Sequence, residues 1–195
     1  MSGNYSFPNK EFFDGDFYIA DYTNDAPPRK VEITLDEPEM FPAVHFHNPN
    51  HIVVLTANME HNPWFCKRSN GSLSPQCECV CASLDCSCTH PWLALVELKY
   101  CQDYNIGINF DDAIYKLKKH HELLRDVKKV IINDYQNIYW VISMPPVAEM
   151  APFGSFMFDE DARLDVHSKY DGVIVISYND IIILDGENLE GKLIK

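Results

Sequence analysis

The sequence predicts a mixed α/β (α+β) fold, a central mixed β-sheet flanked by helices, with a β-rich N-terminal extension. Three observations point there. Runs such as Lys30-Val31-Glu32-Ile33-Thr34-Leu35 alternate polar and apolar residues, the period-two pattern of a half-buried strand. The runs Leu93 to Leu98 and Ile138 to Ser143 are almost wholly apolar and read as strands. Between these two, Asp111 to Arg125 carries apolar residues at helical spacing. A chain of 195 residues, 46% of them hydrophobic, buries one substantial core, and an aromatic content of 12% argues against disorder.

Taken in order, residues 1–28 are aromatic and acidic and end at Pro27-Pro28, so they read as an arm that wraps the core, with one domain over 29–195. Ala43 to His47 and His51 to Leu55 bracket Asn48-Pro49-Asn50 and read as a hairpin. Asn58 to Ser74 holds Pro63 and Gly71 and reads as a loop. In the helix, Asn109 or Asp111 caps the first turn, and Ile114, Leu117, Leu124 and Val127 form the apolar stripe with His121 among them. Apolar strands follow at Val130-Ile131-Ile132 and at Ile138 to Ser143, up to Pro145-Pro146. Ala151 to Phe158 is apolar and broken by Gly and Pro, as a segment packed across an edge is. Gly172 to Ser177 and Ile181 to Leu184 flank Tyr178-Asn179-Asp180 and read as a second hairpin.

The strand Leu93-Ala94-Leu95-Val96-Glu97-Leu98-Lys99-Tyr100-Cys101 places a carboxylate and an ammonium two residues apart in an apolar run. Period-two alternation puts Glu97 and Lys99 on one face and Val96, Leu98 and Tyr100 on the other. A buried unpaired charge costs several kcal/mol, so this face implies mutual pairing, a bound cation or a polar cleft. A solvated ion pair on an open sheet face is the plain alternative. The chemical reading is metal-dependent phosphodiester hydrolysis: a carboxylate holds Mg²⁺ against the phosphate, and the ammonium orients water or offsets charge developing on phosphoryl oxygens. A second carboxylate is then needed from a neighbouring strand. Glu78, in Gln76-Cys77-Glu78-Cys79-Val80-Cys81, and Asp85, in Ser83-Leu84-Asp85, are the candidates.

These residues resemble the restriction-endonuclease-like PD-(D/E)xK superfamily. An acidic residue at 78 or 85 is followed by Glu97-Leu98-Lys99, then an amphipathic helix, then the strand at 138–143; the resemblance covers roughly residues 75–145. It implies a restriction-endonuclease-like core and a nuclease acting on DNA more readily than RNA. Mg²⁺ or Mn²⁺ would be held by Glu97 with Glu78 or Asp85, and Lys99 would position the attacking water. By analogy with multi-component systems, it also implies a subunit of a restriction or anti-phage defence system.

Charge bears on the partner. The net charge of −13 opposes a nucleic-acid backbone, which is gripped by releasing counterions around Lys and Arg. Residues 99–129, however, carry seven Lys/Arg against five acids, so the basic residues lie beside the proposed site and the rest of the chain is acidic. A solvated helix face accounts for them equally well. On the nuclease reading, the partner is nucleic acid, gripped with the help of a protein partner subunit. The alternative is a non-catalytic acidic interaction module on the same scaffold, such as an inhibitor, an immunity protein or a scaffold subunit. The charge and the absence of Gln from residues 113–119 favour it.

All seven cysteines lie between Cys66 and Cys101. If 76–81 is a strand, Cys77, Cys79 and Cys81 share one face as small apolar residues while Glu78 faces the cleft. Alternatively Cys79, Cys81, Cys86 and Cys88 hold a structural Zn²⁺, although Cys-x-Cys pairs stand where zinc ribbons have Cys-x-x-Cys; Asp85 then becomes the catalytic acid. His45 and His47 share a strand face, with His51 after the turn, which gives either solvated histidines or a second metal site. The first eight residues lack a basic region followed by an apolar run, and no segment has the length of a membrane span, so a cytoplasmic protein is expected.

Overall fold

In a computed structural model, residues 7, 9–22, 31–39, 41–84, 91–99, 106–128, 135, 137–143, 168, 172–177, 180–184 and 188–192 are described. The strands are β1 (Glu11–Phe13), β2 (Phe17–Asp21), β3 (Val31–Thr34), β4 (Ala43–His47), β5 (Val54–Asn58), β6 (Cys79–Ser83) and β7 (Trp92–Leu98). After the helix α1 (Ile106–Glu122) come β8 (Asn137–Ser143), β9 (Gly172–Ser177), β10 (Asp180–Leu184) and β11 (Asn188–Lys192). They form a six-stranded sheet in the order β1-β5-β6-β7-β8-β9 and a five-stranded sheet in the order β11-β10-β4-β2-β3.

Both sheets are mixed. In the larger, β5, β6 and β7 run antiparallel to one another, whereas β7, β8 and β9 are parallel. Parallel neighbours need a long crossover, and α1 lies in the one between β7 and β8. All seven residues of β7 are buried because both faces of the sheet are covered. On one face Leu93 and Leu95 of β7 join Val80, Ala82, Ile138, Trp140 and Ile142, and Ala113 and Leu117 of α1 pack against them together with Leu124 just beyond the helix. On the other, Trp92, Ala94, Val96 and Leu98 meet Phe17, Ile19, Val44 and Phe46 of the smaller sheet. Each large side chain so buried contributes about 1.5–3 kcal/mol. The layers are therefore helix, mixed sheet, second sheet: the mixed α/β architecture predicted, with a sheet where a second helical layer was expected.

The arm expected over residues 1–28 contains β1 and β2, which pair with β5 in one sheet and with β3 and β4 in the other. Neither expected hairpin forms. β4 pairs with β2 and β10, while β5 pairs with β1 and β6; likewise β9 pairs with β8, and β10 with β4 and β11. Each short link carries the chain from one sheet to the other. At the first link, Asn48 donates through Nδ2 to the Ile52 carbonyl (2.7 Å) and accepts the Ile52 amide at Oδ1 (3.0 Å), and His51 takes a positive φ of 52°. Asn48 thus closes the corner by pairing both backbone groups of Ile52.

The helix starts at Ile106, so Asn109 and Asp111 lie inside it rather than at its cap. It ends in a wider π-turn, Leu123–Lys128. The strand expected over 76–81 begins only at Cys79, after a bend at Glu78. That bend breaks the alternation. Cys79 and Cys81 face the inter-sheet core, and Cys77 falls in the helix-side layer with Val80 instead of joining them. Val130 to Ile132, Ala151 to Phe158, Asp85, Cys86, Cys88 and Cys101 lie outside the described residues. Among the described residues no helix is long and apolar enough to cross a membrane.

Candidate functional site

Glu97 is the next-to-last residue of β7 and shares the helix-side face with Leu93 and Leu95, so its carboxylate has no exposure to water. Its Oε1 accepts hydrogen bonds from Lys116 Nζ at 2.7 Å and from Lys99 Nζ at 3.0 Å. Lys99 Nζ also reaches Asp112 Oδ2 at 2.8 Å, and Lys116 lies 3.6 Å from the same oxygen. Asp112 and Lys116 are four residues apart on α1, hence on one helix face, the face docked over β7. The Lys99 amide donates to the Ser143 carbonyl (2.8 Å), which ties the end of β7 to β8. The predicted same-face pair thus exists, roofed by the helix rather than open to solvent.

Glu78 enters from the bend before β6. Its Oε2 accepts the Leu98 amide at 2.7 Å, next in sequence to Glu97. Burial and the charge of Glu97 push the Glu78 carboxyl well up from its ordinary range, against the Leu98 amide and Lys116. Burial raises Glu97 too, and Lys116 and Lys99 oppose that rise. For Lys99, burial favours the neutral amine but Glu97 and Asp112 outweigh it and hold the ammonium. For Asp112, modest burial is outweighed by Lys99 and Lys116, and the carboxyl is lowered. The cluster is graded from dry to wet: Glu97 is sealed, Lys99 is 12% exposed, and the Asp112 side chain is 47% exposed.

The arrangement holds one feature that ion pairing does not account for. Among the described residues, the buried Glu97 Oε2 has no hydrogen-bond partner. The Glu97 carboxylate is paired with Lys116 and Lys99 through Oε1, and Oε2 is the oxygen that could take a small hard cation. Glu78, Glu97 and Lys99 are brought together as the sequence places them, and Asp112 and Lys116 are added. Lys116 is visible in the sequence only as one of the basic residues after the motif. No local spacing marks Asp112.

The four described cysteines are packed in the two cores. Cys66, Cys77, Cys79 and Cys81 are buried free thiols. Cys79 and Cys81, half of the proposed Zn²⁺ set, sit in the inter-sheet core with their sulfurs 3.9 Å apart. Burial and neighbouring Cys79 push the Cys81 thiol well up. Beside them the Cys77 amide donates to His120 Nδ1 (3.1 Å), and Trp140 Nε1 donates to His121 Nδ1 (3.1 Å). Both histidines are buried in the helix-side layer, so neither meets a phosphate.

A second cluster lies on the outer face of the five-stranded sheet. His45 Nε2 and His47 Nδ1 stand 2.9 and 3.0 Å from Asp16 Oδ2, while Asp16 Oδ1 accepts the Asn48 amide at 2.8 Å. Partial burial works against the Asp16 carboxylate, but the bonds from His47, the Asn48 amide and His45 outweigh it and lower the group to about 2. The strand-sharing of His45 and His47 is legible in the sequence, and Asp16 is not. No family model matches the chain, nor does any curated protein or solved structure.

Proposed function

We propose that the chain is a metal-dependent phosphodiesterase acting on nucleic acid, with its site at Glu78, Glu97 and Lys99. One observation carries this reading: a buried carboxylate oxygen, Glu97 Oε2, has no hydrogen-bond partner among the described residues and lies close enough to Glu78 to raise it, with two ammonium groups alongside. Two further features support it. The order β6-β7-α1-β8 agrees with the part of the resemblance that runs from the acidic residue through Glu-x-Lys to the helix and closing strand, and no helix precedes β5 among the described residues. The cluster also lies at the carboxyl end of a strand in a parallel pair, where open α/β sheets place their ligands.

Glu78 and Glu97 would hold the cation. Mg²⁺ or Mn²⁺ there supplies Lewis acidity, drawing charge from a phosphoryl oxygen and lowering the pKa of water. The residues set up the rest. Lys116 holds Glu97 Oε1, so Oε2 would be the oxygen left for the cation. Asp112 and Glu97 keep Lys99 protonated, so its Nζ presents a fixed positive charge to the phosphoryl oxygens. Asp112, half exposed, is the side from which substrate enters. The acidic remainder of the chain leaves backbone grip to a protein partner.

The test is cleavage of single- and double-stranded DNA and RNA with Mg²⁺ or Mn²⁺, comparing wild type with Glu97→Gln, Glu78→Gln and Lys99→Met. Cleavage by wild type, reduced by about 10²-fold or more in each variant with the fold intact, is the expected result. No cleavage by folded wild type, alone or with its co-purifying partner, overturns the reading in favour of the acidic interaction module.

A further inference from the structure

The two histidines of β4 and the turn before β2 form a site separate from Glu97, on the opposite side of the molecule's central sheet. β4 is the middle strand of its sheet, with β2 on one side and β10 on the other. Val44 and Phe46 point into the inter-sheet core, so period two turns His45 and His47 outward on one face. Asp16 lies in the link between β1 and β2 and reaches over that face. We infer that Asp16, His45 and His47 bind one divalent transition metal of the Zn²⁺ class, with open coordination positions toward solvent.

Four observations carry this. The donor set is two imidazoles and a carboxylate, the set preferred by Zn²⁺, Ni²⁺, Co²⁺ and Fe²⁺ over Mg²⁺ or Ca²⁺. Among the described residues this is the one group of three such side chains whose ligand atoms all lie within 4.8 Å of one another. The imidazole-to-carboxylate distances of 2.9 and 3.0 Å match the edge between ligands about 2.1 Å from a shared ion, roughly 3.0–3.4 Å, so little movement is needed. The supporting shell is also fixed. The Asn48 amide takes Asp16 Oδ1 and leaves Oδ2 to point between the rings, and the Tyr18 ring stacks on His45 with centroids 4.4 Å apart.

Exposure decides what kind of site it is. The side chains of His45, His47 and Asp16 are 22%, 43% and 41% exposed. Three protein ligands on an open face leave room for water or an outside donor, unlike a closed four-ligand structural site. A metal there also pins the turn before β2 onto β4, so its binding adds to the stability of that sheet. The inference does not rest on the Glu78–Glu97 reading, and either can fail alone.

The experiment is titration of the chelator-stripped, reduced full chain with Co²⁺ and with Zn²⁺, for wild type, Asp16→Asn and the His45→Gln/His47→Gln pair. Expected is one equivalent of Co²⁺ giving weak visible bands without the strong near-ultraviolet thiolate charge transfer that a cysteine site shows. Zn²⁺ should displace it and raise the wild-type melting temperature. Binding should weaken by about tenfold or more in Asp16→Asn and further in the double variant. Two results overturn the inference: no binding by folded wild type at millimolar Co²⁺, or a thiolate-type spectrum that the substitutions leave unchanged.

Discussion

Lys116 on α1 places its Nζ 2.7 Å from Oε1 of Glu97 on β7, and this contact fastens the helix to the central strand, with Glu97 fully buried and the Lys116 side chain 30% exposed. The pair exists because helix and strand each bring one charge to an interface that is apolar elsewhere, from Leu117 and Ala113 to Leu93 and Leu95. Removing one partner of a buried pair leaves the other's desolvation uncompensated. Lys116→Met keeps the side-chain length and removes the charge, and Lys99 still serves Glu97. A loss of about 1–3 kcal/mol is expected, measured as a shift in urea midpoint at pH 7. A loss below about 0.5 kcal/mol would mean the contact is only a surface pair.

Leu117→Ala tests the same interface by its apolar half. Leu117 is fully buried among the helix-side core residues. Truncation removes contacts to the sheet and leaves a cavity that β7 and β8, each paired on both sides, cannot close. The expected cost is about 2–5 kcal/mol in chemical denaturation. Tyr115→Ala, on the exposed face of the helix, is the control and should stay within about 0.5 kcal/mol.

Most strands from β3 to β10 are legible in the sequence because period two and apolar runs are local signals, whereas β1, β2 and β11 carry no such clear run and strand partners are not local. Asn48-Pro49-Asn50 and Tyr178-Asn179 carry turn residues that serve a hairpin and a sheet-to-sheet link equally. What separates the two is which core the next strand's apolar face must join, and that is decided at long range. The start of α1 was obscured because Ile106, Ile108 and Phe110 alternate like a strand. Cys77 was assigned to the wrong layer because alternation was carried through the bend at Glu78. In the site, Glu97 and Lys99 follow from spacing alone. Asp112 and Lys116 join them only once the helix is docked, and Asp16 lies 29 and 31 residues from its histidines.

His120 gives the acid side of the stability profile a specific cause. It is fully buried, and burial together with neighbouring His121 lowers it from 6.5 to about 3. The folded protein therefore holds it neutral, while the unfolded chain takes up a proton below 6.5. Stability from this group is complete above pH 6.5 and falls as the pH drops toward about 3, by up to about 1.4 kcal/mol per pH unit. His120→Asn places an oxygen near the position of Nδ1, so it can still accept the Cys77 amide, and it removes the titration. Urea denaturation from pH 7 to pH 4 should show a shallower decline for the variant by up to one proton. Parallel profiles for the two proteins would contradict the assignment.

Asn48→Ala probes the corner that defeats the hairpin. The side chain is 1% exposed and pairs both the amide and the carbonyl of Ile52. Alanine leaves two backbone groups without partners in a place water does not reach, at an expected cost of about 1–3 kcal/mol. The Asn48 amide itself remains, but the backbone presenting it to Asp16 Oδ1 is no longer held. The variant should therefore lose both stability and affinity for a transition metal, whereas Asp16→Asn should lose affinity with the corner intact. Calorimetric Zn²⁺ titration of the two variants, alongside their melting temperatures, separates the effects. An Asn48→Ala protein that melts as wild type would show that the turn is held by the strands on either side rather than by Asn48.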